Sequence, residues 1–320
     1  MMRSKPCLAG VLIGLLLAAA GCQSGAPGTE FLSLVGLSKK PVVVALTPEP
    51  GVLNPFATYE PLRKKMEQAF GRPVRLDLAL PKLQLEPNLD LGLYHFAIVG
   101  MGDYAGIGRR GRFDVLAVSV DEHGRKGRPA LLIVPATSKI EKVEDLRGKT
   151  VAFGPAQDAR TTLAALALLR EHGISKTDLS LQLLPVPGSL KHFQKMREIA
   201  QSVMNYSSDA GFIDVAAYDG LPETTSVENE PARDRLRVIA RTMAVPDKVV
   251  LRSPKADDKT AAQFTQFLLT SGENHADALH ALRLSGFEAP SGTLELLCDK
   301  LTSVAPAREA APTEQTQETP

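Results

Sequence analysis

Residues 138–175, SKIEKVEDLRGKTVAFGPAQDARTTLAALALLREHGIS, give the clearest indication of how this chain folds. The run TVAF at residues 150–153 has the length and composition of a strand that is buried on both faces. Gly154 and Pro155 end that strand, and an apolar helical pattern then continues to Gly173. A loop between a strand and a helix N-terminus presents backbone N–H groups, so we expect this loop to receive a small anion or polar ligand.

Further runs of strand length lie on both sides of this unit and alternate with helical patterns. We predict strands at residues 41–46, 73–79, 93–99, 113–120, 128–134, 179–187, 209–216, 236–241 and 248–251. One predicted helix spans residues 61–70, with Pro61 at its first position and Gly71 after its end. This alternation predicts an α/β fold with a mainly parallel sheet.

The first residues have the features of a bacterial secretion signal. Two basic residues precede an apolar segment at residues 8–20, and Ala-Ala-Gly stands immediately before Cys22. This arrangement resembles the lipobox of bacterial lipoproteins, so we predict that residues 1–21 are removed and that lipid on Cys22 anchors the protein to the outer or inner membrane. The alternative is an ordinary secreted protein in which Cys22 has no such role. Residues 22–40 are predicted to be a tether.

The composition argues against several functions. The net charge is +1 and aromatic residues make up only 5% of the chain, so we expect neither nucleic-acid binding nor a stacking platform for sugars. The six histidines are scattered without metal-ligand spacing, and glycine-rich cofactor motifs are absent, so we expect no metal and no cofactor. The sequence also lacks a nucleophile elbow, and we predict that the protein is not an enzyme.

Two features near the C-terminus complete this picture. Cys298 lies in an apolar helical pattern and is predicted to be a small buried hydrophobic side chain. Residues 304–320 are polar and contain several prolines, which predicts a disordered tail.

Four short blocks occur in the order in which a known family carries them. Pro-Leu at residues 61–62 opens a helix that ends in Gly-Arg-Pro-Val at 71–74, and a later strand ends in a Gly-x-x-x-Tyr turn at 100–104. The most specific block, at residues 138–153, is Ser-x-Ile-x-x-x-x-Asp-Leu-x-Gly-Lys-x-Val-Ala-Phe, and Ser-Asp-Ala-Gly follows at 208–211. In these blocks the chain resembles the periplasmic phosphate-, phosphite- and phosphonate-binding proteins of ABC transporters, which have the type II periplasmic binding protein fold.

The resemblance implies two Rossmann-like α/β lobes joined by two crossing strands. Residues 41–135 and 242–303 would form the first lobe and residues 136–241 the second, with a hinge that closes both over a solute in the cleft. It also implies a monomeric solute-binding protein whose partners are a small polar solute and an ABC permease. Two alternatives are a sensor or accessory lipoprotein that uses the same clam-shell fold, and an enzyme built on that fold.

The resemblance also implies a pocket lined by both lobes, with ligand-binding residues Thr47, Tyr104, Ser138, Gln157, Arg160, Thr161, Thr162, Ser189, His192 and Asp209. The loop after the Val-Ala-Phe strand departs from the family pattern, because Ala-Gln-Asp-Ala-Arg at residues 156–160 replaces a run rich in Ser and Thr. A carboxylate beside a dianion is unfavourable, so we expect Asp158 to cap the helix and Arg160 to face the ligand. A phosphate-like or phosphonate-like oxyanion and a small amino-bearing or carboxylate solute both stay open as ligands.

Overall fold

The computed structural model describes residues 40–49, 52–78, 84–108, 110–182, 188–222 and 231–303. The predicted signal, the tether up to residue 39, Cys22 and the predicted tail lie outside the described residues, as do residues 183–187 of one predicted strand. Within the described part of the chain, no helix combines the length and the apolar character needed to cross a membrane.

The described strands and helices alternate along most of the chain, as the sequence predicts. The strands are β1 (Val42–Leu46), β2 (Val74–Asp77), β3 (Phe96–Gly100), β4 (Asp114–Asp121), β5 (Ala130–Pro135), β6 (Val151–Phe153), β7 (Lys191–His192), β8 (Ala210–Asp214), β9 (Leu236–Arg241), β10 (Lys248–Arg252) and β11 (Leu284–Glu288). The helices are α1 (Pro55–Phe70), α2 (Leu85–Leu91), α3 (Met101–Ala105), α4 (Ala165–Glu171), α5 (Met196–Met204), α6 (Val215–Asp219), α7 (Asp258–Asn274), α8 (Ala276–Leu279) and α9 (Leu294–Thr302).

The strands form two sheets, and we call the part built on each sheet lobe 1 and lobe 2. The sheet of lobe 1 has the strand order β11-β4-β10-β3-β1-β2, and that of lobe 2 has the order β7-β6-β8-β5-β9. In lobe 1, β1 pairs in parallel with β2 and β3, whereas β10 and β11 pair antiparallel with their neighbours. In lobe 2, β6 is parallel to β7 and β8, and β5 is antiparallel to β8 and β9. The predicted α/β fold is confirmed, but the prediction of a mainly parallel sheet is wrong, because both sheets are mixed.

Each sheet has an apolar core on both faces, which explains the continuous apolar runs in the sequence. In β1, Val42 and Val44 pack into one core, and Val43 and Ala45 pack into the core on the other face. The strand β5 of lobe 2 alternates in the same way between two separate cores. A strand whose two faces are both covered needs no polar alternation, so its sequence reads as an unbroken hydrophobic segment.

Helix α1 begins at Pro55 and not at Pro61, the predicted start. The side chain of Asn54 caps it by accepting a hydrogen bond of 3.2 Å from the N–H of Ala57. Pro61 lies inside the helix, where it cannot donate to the preceding turn. Proline is typical of a first helical turn, and the first turn of α1 carries Pro55 there.

Two segments that run side by side join the lobes. The backbone N–H of Arg128 donates to the carbonyl of Val245 at 3.0 Å, and the N–H of Val245 donates back to Arg128 at the same distance. The change from one sheet to the other takes place between β4 and β5 and between β9 and β10. The predicted lobe boundary after residue 135 is later than this change, because β5 pairs entirely within the second sheet.

Cys298 is fully buried between α9 and the core of lobe 1, which confirms the predicted small hydrophobic role. Burial is the main reason why the pKa of its thiol is raised to about 11. Such a thiol carries almost no thiolate at neutral pH and is therefore a poor nucleophile.

Candidate functional site

The carboxyl ends of the parallel strands of both sheets meet at the junction of the lobes. In lobe 1, Thr47 follows β1 and helix α3 follows β3, while in lobe 2 Gly154 follows β6 and Asp214 ends β8. The first residue of β10, Lys248, pairs with Gly100 at the end of β3, so the return crossing also arrives at this edge. Ligands of open α/β sheets bind at such strand ends, which makes the junction the candidate site.

The lobes are in direct backbone contact at Gly102. A Cβ atom built on Gly102 would lie 2.0 Å from the carbonyl oxygen of Gln157 and 3.4 Å from the backbone nitrogen of Ala159. No real Cβ approaches an oxygen so closely, so this contact between α3 and the loop after β6 requires glycine. The structure therefore presents the two lobes in a closed arrangement.

Apolar packing continues this contact beside the junction. Ala159, Leu163 and Ala164, from the start of the lobe 2 helix, share one apolar core with Met101 and other lobe 1 residues. Three lobe 2 side chains are thus buried against lobe 1, and their burial favours the closed arrangement through the hydrophobic effect.

Four charged side chains, Arg128, Arg160, Asp214 and Asp247, lie at the centre of the junction, and we call them the charge cluster. Arg160 places its Nε 3.0 Å from Asp214 Oδ2 and its Nη1 in contact with Asp247 Oδ1. Arg128 places Nη1 3.6 Å from Asp214 Oδ1 and Nη2 3.1 Å from Asp247 Oδ2. Each guanidinium therefore contacts both carboxylates, and positive and negative groups alternate around a ring.

The charge cluster is nearly closed to solvent. The exposed fraction of each of its side chains is between 9% and 18%. Burial on its own lowers the pKa of the Arg160 guanidinium, but the carboxylates of Asp247, Asp214 and Asp158 more than offset burial and raise it above its ordinary value. Arg160 is thus a permanent cation that is held by carboxylates from both lobes.

The loop after β1 joins the same region through a buried lysine. The Nζ of Lys248 donates to the carbonyl oxygen of Thr47 at 3.0 Å and lies 2.8 Å from Glu49 Oε1. The hydroxyl of Thr47 in turn donates to Asp103 Oδ2 at 3.4 Å. These contacts fix the position of Thr47 at the junction.

Asp158 caps the lobe 2 helix that begins at the junction, as expected. Its Oδ1 accepts hydrogen bonds of 3.1 Å and 2.7 Å from the backbone N–H groups of Arg160 and Thr161. The first turns, Ala159–Ala164, are π-helical, and the N–H of Leu163 donates to the carbonyl of Asp158. The wider turn and the capped start direct Arg160 towards lobe 1.

Several predicted ligand-binding side chains are already satisfied inside the protein. The hydroxyl of Thr161 donates to Asp158 at 2.7 Å, and that of Thr162 donates to the carbonyl of Gly154 at 3.2 Å, with both side chains buried. His192, beside Gly154 at the end of β7, places Nδ1 2.7 Å from the same carbonyl. The side chain of Gln157 is exposed at the rim of the junction.

Tyr104 is buried in lobe 1 and lines a separate cavity. This cavity of about 790 Å³ also involves Arg110, Phe113 and Glu295. Burial, reinforced by the nearby Cys298 sulfur, raises the pKa of the Tyr104 phenol to about 12. Tyr104 therefore contributes to the core on which α3 and α9 pack.

Three predicted residues, Ser138, Ser189 and Asp209, lie at the opposite edge of the lobe 2 sheet. Asp209 precedes β8 and accepts a 2.8 Å hydrogen bond from the N–H of Thr150, while Ser138 follows β5 and Ser189 precedes β7. The five residues of β8 separate this edge from Asp214 by roughly 15 Å, too far for a small solute to contact both edges.

The predicted site residues include Arg160 but not Arg128, Asp214, Asp247 or Lys248. Asp247 does stand next to a predicted strand, which is a usable signal, whereas Asp214 lies within the predicted strand at residues 209–216. Arg160 and Asp247 are nevertheless 87 residues apart, and Arg128 and Asp247 are 119 apart. Only the fold brings them together.

Known proteins support this architecture. A search of curated proteins by sequence gives no match. Among solved structures, the Xanthomonas citri protein XAC2383 bound to ATP has a TM-score of 0.66 and 20% identity, over 83% of this chain and 98% of that one. PhnD1 from Prochlorococcus marinus in complex with methylphosphonate has a TM-score of 0.58 and 12% identity, over 83% and 99%. A binding protein component of an ABC phosphonate transporter from Pseudomonas aeruginosa has a TM-score of 0.56 and 20% identity, over 85% and 91%.

At these identities the solved structures establish the fold, which is the two-lobed periplasmic binding protein fold. The family assignment comes from the sequence itself. The family profile described as "ABC transporter, phosphonate, periplasmic substrate-binding protein" matches residues 49–293, which include both crossings and every described strand except β1. This chain belongs to that family of periplasmic substrate-binding components of phosphonate ABC transporters.

Proposed function

We propose that this protein is a lipid-anchored binding protein that captures a small phosphorus oxyanion between its lobes and delivers it to an ABC permease. The observation that carries the proposal is the pair of buried guanidinium groups, Arg128 and Arg160, at the strand ends where the lobes meet. Planar guanidinium groups bind phosphate and phosphonate oxygens through paired, charge-assisted hydrogen bonds.

The proposed site is centred on these two arginines, with Thr47, Gln157 and His192 at its rim. It leaves out Ser138, Ser189 and Asp209, because they lie at the far edge of the sheet. Methylphosphonate in the related PhnD1 and ATP in XAC2383 both carry phosphorus oxyanions, which supports this class of ligand over an amino acid.

The proposed role involves binding and release without bond chemistry. Closure of the lobes would trap the solute and present a surface formed by both lobes to the permease. Monomeric protein suffices for this role, since every element of the proposed site comes from one chain.

We expect phosphate, phosphite or methylphosphonate to raise the melting temperature of the purified protein in a thermal-shift assay. A ligand at 100 times its Kd stabilises a protein by about 2.7 kcal/mol, which is easily measured. Sulfonates, amino acids and thiamine serve as comparison solutes. A protein stabilised only by amino acids or thiamine, and by none of the phosphorus oxyanions, would refute the proposed ligand class.

The proposed anchor depends on Cys22, which follows Ala-Ala-Gly at the end of the signal. Cells fed with radiolabelled palmitate should incorporate label into the wild-type protein, and Cys22→Ser should abolish the label and release the protein from the membrane fraction. Cys298→Ser is the matched control, because that thiol is buried, and its label should equal that of wild type. Label that persists in Cys22→Ser argues against anchoring at this residue.

A further inference from the structure

The carboxylate of Asp247 differs from that of Asp214 in its hydrogen-bond partners. Its hydrogen bonds in the described part of the chain all come from arginines: Arg128 Nη2 lies 3.2 Å from Oδ1 and 3.1 Å from Oδ2, and Arg160 Nη1 donates to Oδ1. Asp214, by contrast, also caps α6 by accepting a 2.8 Å hydrogen bond from the N–H of Ala216. Asp214 thus supports a local helix, whereas the contacts recorded for the side chain of Asp247 serve only the two arginines.

Asp247 and Arg160 come from different lobes. The backbone of Asp247 belongs to lobe 1, because its carbonyl oxygen accepts a hydrogen bond of 3.1 Å from Met101 and the next residue, Lys248, begins β10. Arg160 belongs to the helix start of lobe 2. Their contact therefore bridges the junction, and we expect it to break when the lobes separate.

A carboxylate that lies between two guanidinium groups resembles a bound oxyanion in its negative charge and its acceptor oxygens. Both a carboxylate and a phosphonate present negatively charged oxygens to arginine at similar hydrogen-bond distances. Asp247 thus fills one of the two positions, the other being that of Asp214, from which a phosphorus oxyanion would contact Arg128 and Arg160 together.

We propose that Asp247 is an internal counter-ligand, which holds Arg160 and the two lobes together when no solute is bound and which an incoming oxyanion displaces. The displacement half of this proposal depends on the proposed function, whereas the closure half does not. A solute has to displace the internal carboxylate, so it binds more weakly than it would at a free pair of arginines, and Asp247 sets a threshold that weakly charged anions fail to reach.

The test compares wild type with Asp247→Asn, which has the same shape without the charge. Asp299→Asn is the matched control, since Asp299 also pairs with an arginine, Arg110, at 2.9 Å but within lobe 1. All three proteins carry Cys22→Ser, and small-angle X-ray scattering gives their radius of gyration without ligand. Wild type and Asp299→Asn should both be compact, and Asp247→Asn should have a larger radius.

Calorimetric titration with inorganic phosphate and methylphosphonate supplies the second readout. Because coupling energies of close charge pairs correspond to at least about a tenfold change in binding, Asp247→Asn should bind the better of the two anions about tenfold or more tightly than wild type. Asp247→Glu, which keeps the charge, should bind no more tightly than wild type.

The outcomes separate the two proposals. An open wild type without ligand overturns the closure half, and it does so even if Asp247→Asn does not fold. Equal anion affinity in wild type and Asp247→Asn overturns the displacement half. If Asp247→Asn has the larger radius and none of the proteins binds an anion, the result supports internal closure by Asp247. The same result rejects the oxyanion function on which displacement depends.

Discussion

Gly102→Ala is expected to keep the lobes apart and to weaken solute binding by about 100-fold. The new Cβ would lie 2.0 Å from the carbonyl oxygen of Gln157, and a backbone atom cannot move aside as a flexible side chain can. Overpacking of this kind costs up to about 3 kcal/mol. Here it raises the free energy of the closed arrangement alone. A ligand that requires closure then binds more weakly in proportion to the lost closed population.

The same substitution should leave lobe 1 intact. Gly102 is the second residue of helix α3, and alanine favours a helix over glycine by up to about 1 kcal/mol. Gly111→Ala is the matched control, because a Cβ at Gly111 meets nothing within 4 Å. Scattering should show a larger radius of gyration for Gly102→Ala only. A compact Gly102→Ala that binds solute as wild type does would mean that the contact of Gly102 with Gln157 is not part of closure.

Arg160→Gln is expected to have the second large effect, a loss of oxyanion binding by about 100-fold or more. A hydrogen bond to a charged group contributes about 1.5 to 3 kcal/mol, and Arg160 can supply two to one oxyanion. The substitution also leaves the side chain of Asp214, which is 9% exposed, with the more distant Arg128 at 3.6 Å as its remaining arginine. Because removing one partner of a buried ion pair is costly, we expect a loss of about 3 kcal/mol in the free energy of unfolding.

Two controls separate binding from folding in this variant. Arg160→Lys keeps the charge without the planar fork, so it should retain more stability than Arg160→Gln while binding the oxyanion more weakly than wild type. Arg110→Gln removes an arginine that is paired with Asp299 outside the junction, and it should leave the affinity unchanged. Urea denaturation measures the free energy of unfolding of each variant. Binding is measured only under conditions below the unfolding transition, where the variant is folded.

Most strands and the family could be predicted from the sequence because both depend on local patterns, whereas β7 and β11 lie outside the predicted strands. β1 and β5 are covered on two faces, so their residues form unbroken apolar runs that can be recognised without the rest of the chain. The predicted start of α1 is wrong because Pro61 is typical of a first turn, whereas tertiary packing of Tyr59 and Leu62 on the lobe 1 core overrides that local preference.

The candidate site was less predictable because its central contacts are long-range. Asp158 could be identified as a cap from its place before a helix, and Arg160 from its place in the loop. Asp247 pairs with arginines that precede it by 87 and 119 residues, and no local pattern encodes such a pair. The resemblance implies that Ser138 and Asp209 line the pocket, but the direction of β5 and β8 puts them at the far edge of the sheet.

The central claim is that a phosphorus oxyanion binds at Arg160 between the lobes. Calorimetric titration of methylphosphonate and phosphate into wild type, Arg160→Gln and Arg110→Gln tests it most directly. The predicted result is saturable binding of one anion per chain to wild type and Arg110→Gln, with affinity for Arg160→Gln reduced by about 100-fold or more. Equal affinity of folded Arg160→Gln and wild type, or binding that is lost in Arg110→Gln instead, would contradict the claim.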